Sequence, residues 1–93
     1  MFTLYVLYSL KDHRLYKGTT NNLAKRFIRH NSGGNKSTAH RKPFVLIHSE
    51  IFESKSEALT KELYYKSAHG GSELKILLIS RGVLDSSGRL NLL

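Results

Sequence analysis

Two tyrosines and an arginine–histidine pair occur at spacings that can bring their side chains to one place. Tyr5 and Tyr16 lie in two strand-like runs that a short polar turn separates, which is the pattern of a β-hairpin. Arg26 and His30 follow four residues apart, so on a helix they lie together at the edge of its apolar stripe. A phenol and an imidazole can transfer protons, and a guanidinium can bind an oxyanion through two hydrogen bonds. These four side chains therefore form a candidate site.

Glu62 is a further candidate, because this carboxylate falls near the middle of an otherwise apolar helical face. The sequence from Ser54 has the form of a capping box and predicts a helix that ends at about Lys66. The apolar arc of this helix consists of Ala58, Leu59, Leu63 and Tyr65. Burying a carboxylate is costly unless it is paired or binds a metal. Two explanations follow: Lys66, one turn further on, neutralises Glu62, or Glu62 is a metal ligand that faces a cleft.

The elements that must position these residues belong to a small domain of mixed structure. Strands are predicted over 2–10, 14–20 and 44–52, and helices over 23–30, 54–66 and 73–81. The apolar arc of the first helix is formed by Leu23, Ala24, Phe27 and Ile28. The strand from residue 44 begins with a continuous apolar run, as expected of a strand buried on both faces. His48 in this strand is expected to be a core histidine satisfied by a hydrogen bond.

Residues 31–42 form the one long loop that the sequence predicts, and Lys36, Arg41 and Lys42 give it three permanent positive charges. A loop of this length in a compact domain is more often functional than accidental. One interpretation is a mobile loop that grips phosphate groups. The other is a solvated connector whose charges only aid solubility.

The composition points to a polyanionic partner. The chain has 93 residues, enough for one domain, and a net charge of +8. Nucleic acid is the favoured partner, since no helix shows the bulky apolar face that a membrane-surface helix needs. The absence of cysteine excludes disulfides and thiolate zinc sites. Without a signal-like segment or an apolar run long enough to span a membrane, we expect a cytoplasmic protein with no membrane partner.

Several of these residues together resemble the GIY-YIG nuclease superfamily, and among its members the small stand-alone, single-domain ones. Tyr5 stands in the first motif and Tyr16-Lys17-Gly18 in the second, followed by Asn22-Leu23, Arg26 and His30. The first motif lacks its glycine, and Lys17 replaces an apolar residue. Downstream, the resemblance continues through Glu53, Ser56-Glu57-Ala58-Leu59, Glu62, Lys66-Ser67 and Gly70. It extends over roughly residues 3 to 76.

The resemblance implies both a fold and an activity. The fold would be α/β (α+β), with a small, mainly antiparallel three-stranded sheet flanked by about three helices. The activity would be that of a metal-dependent DNA endonuclease, which hydrolyses phosphodiester bonds with one Mg²⁺, or Mn²⁺ as a substitute. The resemblance assigns catalysis to Tyr5, Tyr16, Arg26, His30 and Glu62. In this assignment Glu62 is the metal ligand, and one tyrosine is the general base.

The remaining expectations concern binding and organisation. DNA, whether single-stranded, branched or duplex, would contact Lys25, Arg29, Lys36, Arg41, Lys42 and Lys66. Residues 1–82 are expected to form the nuclease-like domain and 83–93 a tail of unknown role, in a monomer or homodimer. Two alternatives remain. The chain could be a catalytically inactive nucleic-acid-binding module of the same fold, or a subunit whose apolar C-terminal helix and tail recruit another protein.

Overall fold

The computed structural model describes residues 1–91, which form an antiparallel sheet and three α-helices. The strands are β1 (Phe2–Ser9), β2 (Leu15–Thr20) and β3 (Phe44–Phe52), and the helices are α1 (Leu23–Ser32), α2 (Lys55–Lys66) and α3 (Ala68–Ser80). The order across the sheet is β2-β1-β3, and both pairings are antiparallel. This arrangement confirms the α/β (α+β) fold with a three-stranded sheet that the sequence predicts.

β1 is the central strand and carries the core. Every side chain from residue 4 to residue 9 is buried, because strands flank β1 on both sides and helices cover both faces of the sheet. Successive side chains of a strand point to opposite faces. The even-numbered ones pack against α2 and α3, whereas Tyr5 and Leu7 pack against Leu23 and Phe27 of α1. β1 thus presents Tyr5 to the α1 side of the sheet.

The expectation that β3 is buried on both faces is wrong, since β3 is an edge strand. Leu46 and Ile51 expose 37% and 65% of their surface. An apolar run alone does not distinguish a central strand from an edge strand, because the number of neighbouring strands is a tertiary property. His48 agrees with its prediction: its Nε2 lies 2.8 Å from Glu50 Oε2.

The buried face of α1 is rotated relative to its predicted apolar arc. Ile28 is 67% exposed, and His30 is fully buried. Leu23, Phe27 and His30, at positions i, i+4 and i+7, lie on one helical face, and packing against β1 buries this face in place of the one that contains Ile28. An exposed isoleucine costs little, whereas a buried histidine needs hydrogen-bond partners on both ring nitrogens.

α3 begins at Ala68 and not at residue 73, because Ser67 ends α2 and caps α3 at the same time. The Ser67 hydroxyl accepts a hydrogen bond from the Gly70 amide at 3.1 Å. Gly70, which precedes the predicted helix, instead lies inside α3 against the Tyr64 carbonyl. A Cβ atom at this position would lie 1.8 Å from that oxygen. This glycine therefore permits the close approach of α3 to the end of α2.

The segment after α3 packs back onto the domain. Leu84 is 1% exposed and joins Leu74 and Leu78 of α3 in the core, and it forms a single antiparallel bridge with Leu90. Residues 92 and 93 of the predicted tail lie outside the described residues. The domain boundary at residue 82 stays a prediction, as does the role of the tail.

The segment 31–42 is held to the domain by hydrogen bonds, and whether it binds phosphate stays a prediction. α1 extends into it as far as Ser32, and Ala39–Arg41 forms a 3₁₀ turn. The Asn31 side chain accepts a hydrogen bond from the Phe44 amide at 2.6 Å and donates one to the Phe44 carbonyl at 3.1 Å. Thr38 is 1% exposed. The segment therefore has a fixed path between α1 and β3.

Candidate active site

Tyr5 occupies its buried position because Gly18 lies opposite it. The two residues are paired across β1 and β2, and the Tyr5 ring lies over the glycine. A Cβ atom on residue 18 would lie 2.5 Å from the Tyr5 hydroxyl oxygen, closer than packing allows. Glycine at position 18 thus makes room for the buried tyrosine of the site.

Gly18→Ala is expected to displace the Tyr5 ring and to lower stability by about 1–3 kcal/mol, the usual cost of overpacking a core. Thermal unfolding measures this effect, and the near-ultraviolet circular dichroism of the tyrosines reports the displaced ring. A variant with the melting temperature and the tyrosine spectrum of the wild type would contradict this packing argument.

A chain of hydrogen bonds leads from Tyr5 through His30 to Thr38. The Tyr5 hydroxyl lies 3.0 Å from His30 Nε2, and His30 Nδ1 lies 2.8 Å from Thr38 Oγ1. The Thr38 hydroxyl donates to the carbonyl of Asn35 at 3.4 Å, so its oxygen accepts from Nδ1–H. This arrangement assigns the proton of a neutral imidazole to Nδ1 and leaves Nε2 to accept from the Tyr5 hydroxyl.

The electrostatics of the site favour these neutral forms. Burial raises the pKa of Tyr5 well above its usual value, and the nearby Tyr16 adds to this, whereas Arg26 opposes it. Burial lowers the pKa of His30, and the positive charges of Arg26 and Arg29 lower it further. Both groups are therefore uncharged at neutral pH. Tyr5 is thus poorly suited to act as a base at neutral pH.

Tyr16 lies above this chain and is partly exposed. Its ring centroid is 4.8 Å from that of His30 and 6.2 Å from that of Tyr5. The three rings form a compact cluster on the α1 side of the sheet. Tyr16 is the tyrosine of the site that solvent reaches.

Arg26 lines the cleft between α1 and the start of α2, together with Thr19 and Lys55. Its guanidinium makes no hydrogen bond or ion pair with any of residues 1–91, although the side chain is partly buried. Its positive charge nevertheless lowers the pKa of both Tyr5 and His30. A half-buried guanidinium without a carboxylate partner is suited to an oxyanion ligand.

Glu62 lies at the edge of the sheet and is held from two sides. Its Oε1 accepts a hydrogen bond from the Thr19 hydroxyl at 2.7 Å, and its Oε2 accepts one from Lys66 Nζ at 2.6 Å. The Glu62 side chain is 14% exposed and that of Lys66 is 48% exposed. The pairing with Lys66 that the sequence offered as one explanation is therefore present. The carboxylate is still close enough to contribute to the raised pKa of Tyr5.

The surroundings of Glu62 fit a hydrated divalent cation held by one protein ligand. No cluster of three or more His, Cys, Asp or Glu side chains occurs in residues 1–91, so water and a substrate phosphate would have to complete the coordination. Mg²⁺ accepts such a ligand set. Lys66 already places a cation on Oε2, and its half-exposed side chain is free to move away. Glu62 is therefore the residue that would hold the metal.

The predicted DNA-contacting residues fall into two groups. Lys25 and Arg29 line a groove with Arg26 along α1, and Lys36 and Lys42 are exposed on the segment after it. Arg41 differs, because its Nε lies 2.7 Å from Asp12 Oδ2. Its guanidinium also lies 5.7 Å from the centre of the Phe44 ring. Binding of phosphate by Arg41 would require it to leave these partners.

Arg41→Gln is expected to lower the free energy of unfolding at pH 7 by at most about 1 kcal/mol, since the ion pair is partly exposed. Arg41 lowers the pKa of Asp12 to about 2, below the usual value of about 3.9. The stabilisation is therefore present above pH ~4 and is lost as the pH falls towards 2. Denaturant unfolding at pH 7 and pH 2 measures the loss, with Lys42→Gln as the charge-matched control. Equal losses in the two variants at pH 7 would contradict a structural role of Arg41.

Thr38 is the residue of the site that the sequence does not predict. It lies in a stretch of small polar residues, and nothing in that composition distinguishes it from its neighbours. The signal that could have indicated it is the burial of His30, since a buried imidazole needs a second hydrogen-bond partner. That burial depends on packing against β1 and was not readable from the spacing.

The family model of the GIY-YIG catalytic domain matches residues 1–74, which include Tyr5, Tyr16, Arg26, His30 and Glu62. The chain belongs to the GIY-YIG family. The GIY-YIG domain is that of a nuclease family, so the substrate class is nucleic acid, and such nucleases generally use a divalent metal. No helix in residues 1–91 is long and apolar enough to cross a membrane.

Similar proteins are small members of the same family. The UPF0213 protein of Clostridium perfringens is 43% identical over 75 residues, which cover 80% of each chain. That of Staphylococcus saprophyticus is 44% identical over 73 residues, which cover 77% of this chain and 87% of the relative. The solution NMR structure of a UPF0213 protein from Bacillus halodurans has 36% identity and a TM-score of 0.51, and the match covers 83% of this chain and 85% of that one.

Proposed function

We propose that this GIY-YIG protein is a metal-dependent DNA endonuclease that hydrolyses phosphodiester bonds by a one-metal, tyrosine-assisted mechanism. The observation that carries the proposal is the arrangement around Arg26. A guanidinium that has no carboxylate partner among residues 1–91 acts through its charge on Tyr5 and on a neutral His30, whose protons are fixed by hydrogen bonds. A binding module needs the cation, but it has no use for an ordered chain of proton donors and acceptors behind it.

Tyr16 is the general base in this proposal, and Tyr5 and His30 position it. Tyr16 is partly exposed and can reach a water molecule, whereas Tyr5 is buried and its pKa is raised. The Tyr5–His30–Thr38 chain holds the imidazole against the Tyr16 ring. The base is therefore placed by packing against a rigid support, which keeps the attacking oxygen in line with the phosphate.

Arg26 and Glu62 act on the phosphate. Arg26 binds a non-bridging oxygen through two parallel hydrogen bonds and stabilises the charge that develops on it. Glu62 is the metal ligand. A divalent cation bound there would neutralise negative charge on the phosphate and on the leaving oxygen. Mg²⁺ is the proposed ion, and Mn²⁺ a substitute.

The DNA backbone follows the groove along α1 in this proposal. Lys25 and Arg29 flank Arg26, and Lys36 and Lys42 extend the positive surface beyond the end of the helix. Lys66 lies on the other side, beside Glu62. Contacts between these side chains and backbone phosphates do not depend on the DNA sequence. The form of the DNA, a cytoplasmic location and a monomeric or homodimeric state stay predictions.

The activity is tested by incubating the protein with labelled single-stranded, nicked, branched and duplex DNA, with Mg²⁺, with Mn²⁺ and with a chelator. We expect cleavage of at least one form that depends on the metal and is lost in Arg26→Gln. Cleavage that persists in the chelator, or in the Arg26 variant, would contradict the mechanism. A protein that binds every form and cuts none would be the inactive module.

The inactive module is the second candidate, and the pairing of Glu62 favours it. Both carboxylate oxygens already have partners, Thr19 and Lys66, so the residue has a structural explanation that needs no metal. On this hypothesis the basic groove binds nucleic acid, and Tyr5 and Tyr16 only contribute to the packing of the domain. The two candidates make opposite predictions for substitution of Glu62.

Neutralising Lys36 and Lys42 together is expected to weaken binding to DNA of every sequence and to reduce the salt slope, log Kobs against log[salt], by roughly 1.8. Each lysine that contacts a phosphate accounts for about half of that change. The measurement is a series of binding titrations at increasing salt concentration. A slope equal to that of the wild type would show that the segment 31–42 contacts no phosphate and is only a connector.

A further inference from the structure

Three lysines, one of which binds the carboxylate of Glu62, gather on the face of the sheet opposite α1. Lys17 lies on β2, Lys66 on α2 and Lys75 on α3. Lys17 is paired in register with Val6, whose side chain is buried on the side of α2 and α3. Alternation along β2 therefore places Lys17 and Thr19 on that same face.

The hydrogen bonds of Glu62 fix where this group lies. Thr19 and Lys66 both bind Glu62, so β2 and α2 are held together at this point. Lys17 is two residues from Thr19 along the strand, about 6.6 Å away. The charges of Lys75 and Lys66 are near enough to lower the pKa of Lys17, after its burial, which is the largest cause. The three ammonium groups are thus close enough to repel one another.

This charge is unbalanced within the part of the chain that the structure describes. In residues 1–91, the ammonium groups of Lys17 and Lys75 make no ion pair and no hydrogen bond, and that of Lys66 is paired with Glu62. Placing like charges together around a partly buried lysine costs free energy in the isolated protein. An anion bound among the three ammonium groups removes that cost.

The group adjoins the proposed active site across the edge of the sheet. Thr19, which binds Glu62, also lines the cleft that contains Arg26. Glu62 binds both Thr19 and Lys66, so it links this cleft to the group of lysines. The two basic surfaces are therefore positioned to contact one continuous strand.

We propose that Lys17, Lys66 and Lys75 form a second phosphate subsite, which binds the nucleic-acid backbone after it crosses the edge of β2. This inference rests on the proposed function, because it names a further part of the surface that binds the substrate. Its ligand is the backbone phosphate of DNA. The substrate would thus be bound on both sides of Glu62 and would cross the edge of the sheet at the scissile position.

The test compares single substitutions that each remove one positive charge. Lys17→Met keeps the aliphatic stem that covers the core, and Lys75→Met changes an exposed residue. Lys11→Met, in the turn between β1 and β2, is the control. Duplex DNA affinity is measured over a range of salt concentrations in Mg²⁺-free buffer. Both subsite variants are expected to lower the salt slope by about 0.9 each, and Lys11→Met to leave it unchanged.

The outcomes separate this inference from the proposed function. If wild-type protein binds DNA and both subsite variants keep the slope of the Lys11 control, the second subsite is refuted while the α1 groove stands. If wild-type protein binds no DNA, the proposed function fails and the subsite with it. Melting temperatures check folding, and Lys17→Met should melt no lower than the wild type, since it removes like-charge repulsion. Should Lys17→Met fail to fold, the exposed Lys75 decides the result alone.

Discussion

Tyr16→Phe is expected to slow DNA cleavage by about a hundredfold or more and to leave the melting temperature nearly unchanged. Loss of a general base costs about 10²–10⁴ in rate. The ring is expected to stay in place, because it packs against the rings of Tyr5 and His30. Metal-dependent single-turnover cleavage and thermal unfolding measure the two quantities.

Tyr5→Phe is the matched control, because the same atom is removed from the other tyrosine. Here the buried Nε2 of His30 loses its partner, so we expect a stability loss of about 1–3 kcal/mol. Cleavage per folded molecule should fall less than in the Tyr16 variant, since Tyr5 acts through His30. The reverse ranking of the two cleavage rates would assign the base to Tyr5. Full activity in both variants would refute a tyrosine-based mechanism.

The sequence predicts the elements of the fold because their signals are local. The alternating runs and the turn define the β1–β2 hairpin, and Asn22 and Ser54 cap α1 and α2 as their types indicate. The start of α3 could not be predicted in the same way. Two adjacent glycines usually mark a turn, and only the contact between Gly70 and the Tyr64 carbonyl explains why they continue a helix.

The sequence predicts which residues belong to the site, but it does not predict how their side chains are arranged. The spacing of Arg26 and His30 places them on one edge of a helix, but it cannot show that His30 is buried and Ile28 exposed. That outcome depends on how the helix is rotated against β1, which is a tertiary property. The same holds for Arg41, whose charge suggested a phosphate contact and whose partner, Asp12, is distant in sequence. Charge alone identifies a basic surface, but it does not show which charges are already paired.

Glu62→Gln is expected to decrease metal-dependent cleavage by roughly a hundredfold or more, at or above the upper end of what the loss of an outer-shell partner costs. Glutamine keeps the volume of glutamate, and its amide oxygen can still accept from Thr19. The stability change should be small, because Lys66 is 48% exposed and water can solvate it. DNA affinity should hold or increase as a negative charge leaves the basic surface.

Lys66→Gln breaks the same ion pair from its other end and separates the two explanations of Glu62. If Glu62 binds the metal, removing the competing ammonium group should strengthen Mn²⁺ binding, whereas Glu62→Gln should weaken it. If Glu62 only neutralises Lys66, neither substitution should change Mn²⁺ binding, and Glu62→Gln should cleave as well per folded molecule as the wild type does. Titration of both variants with Mn²⁺ by electron paramagnetic resonance measures these opposite shifts. Because the sign of the change differs between the variants, a general loss of structure cannot imitate the result expected of a metal ligand.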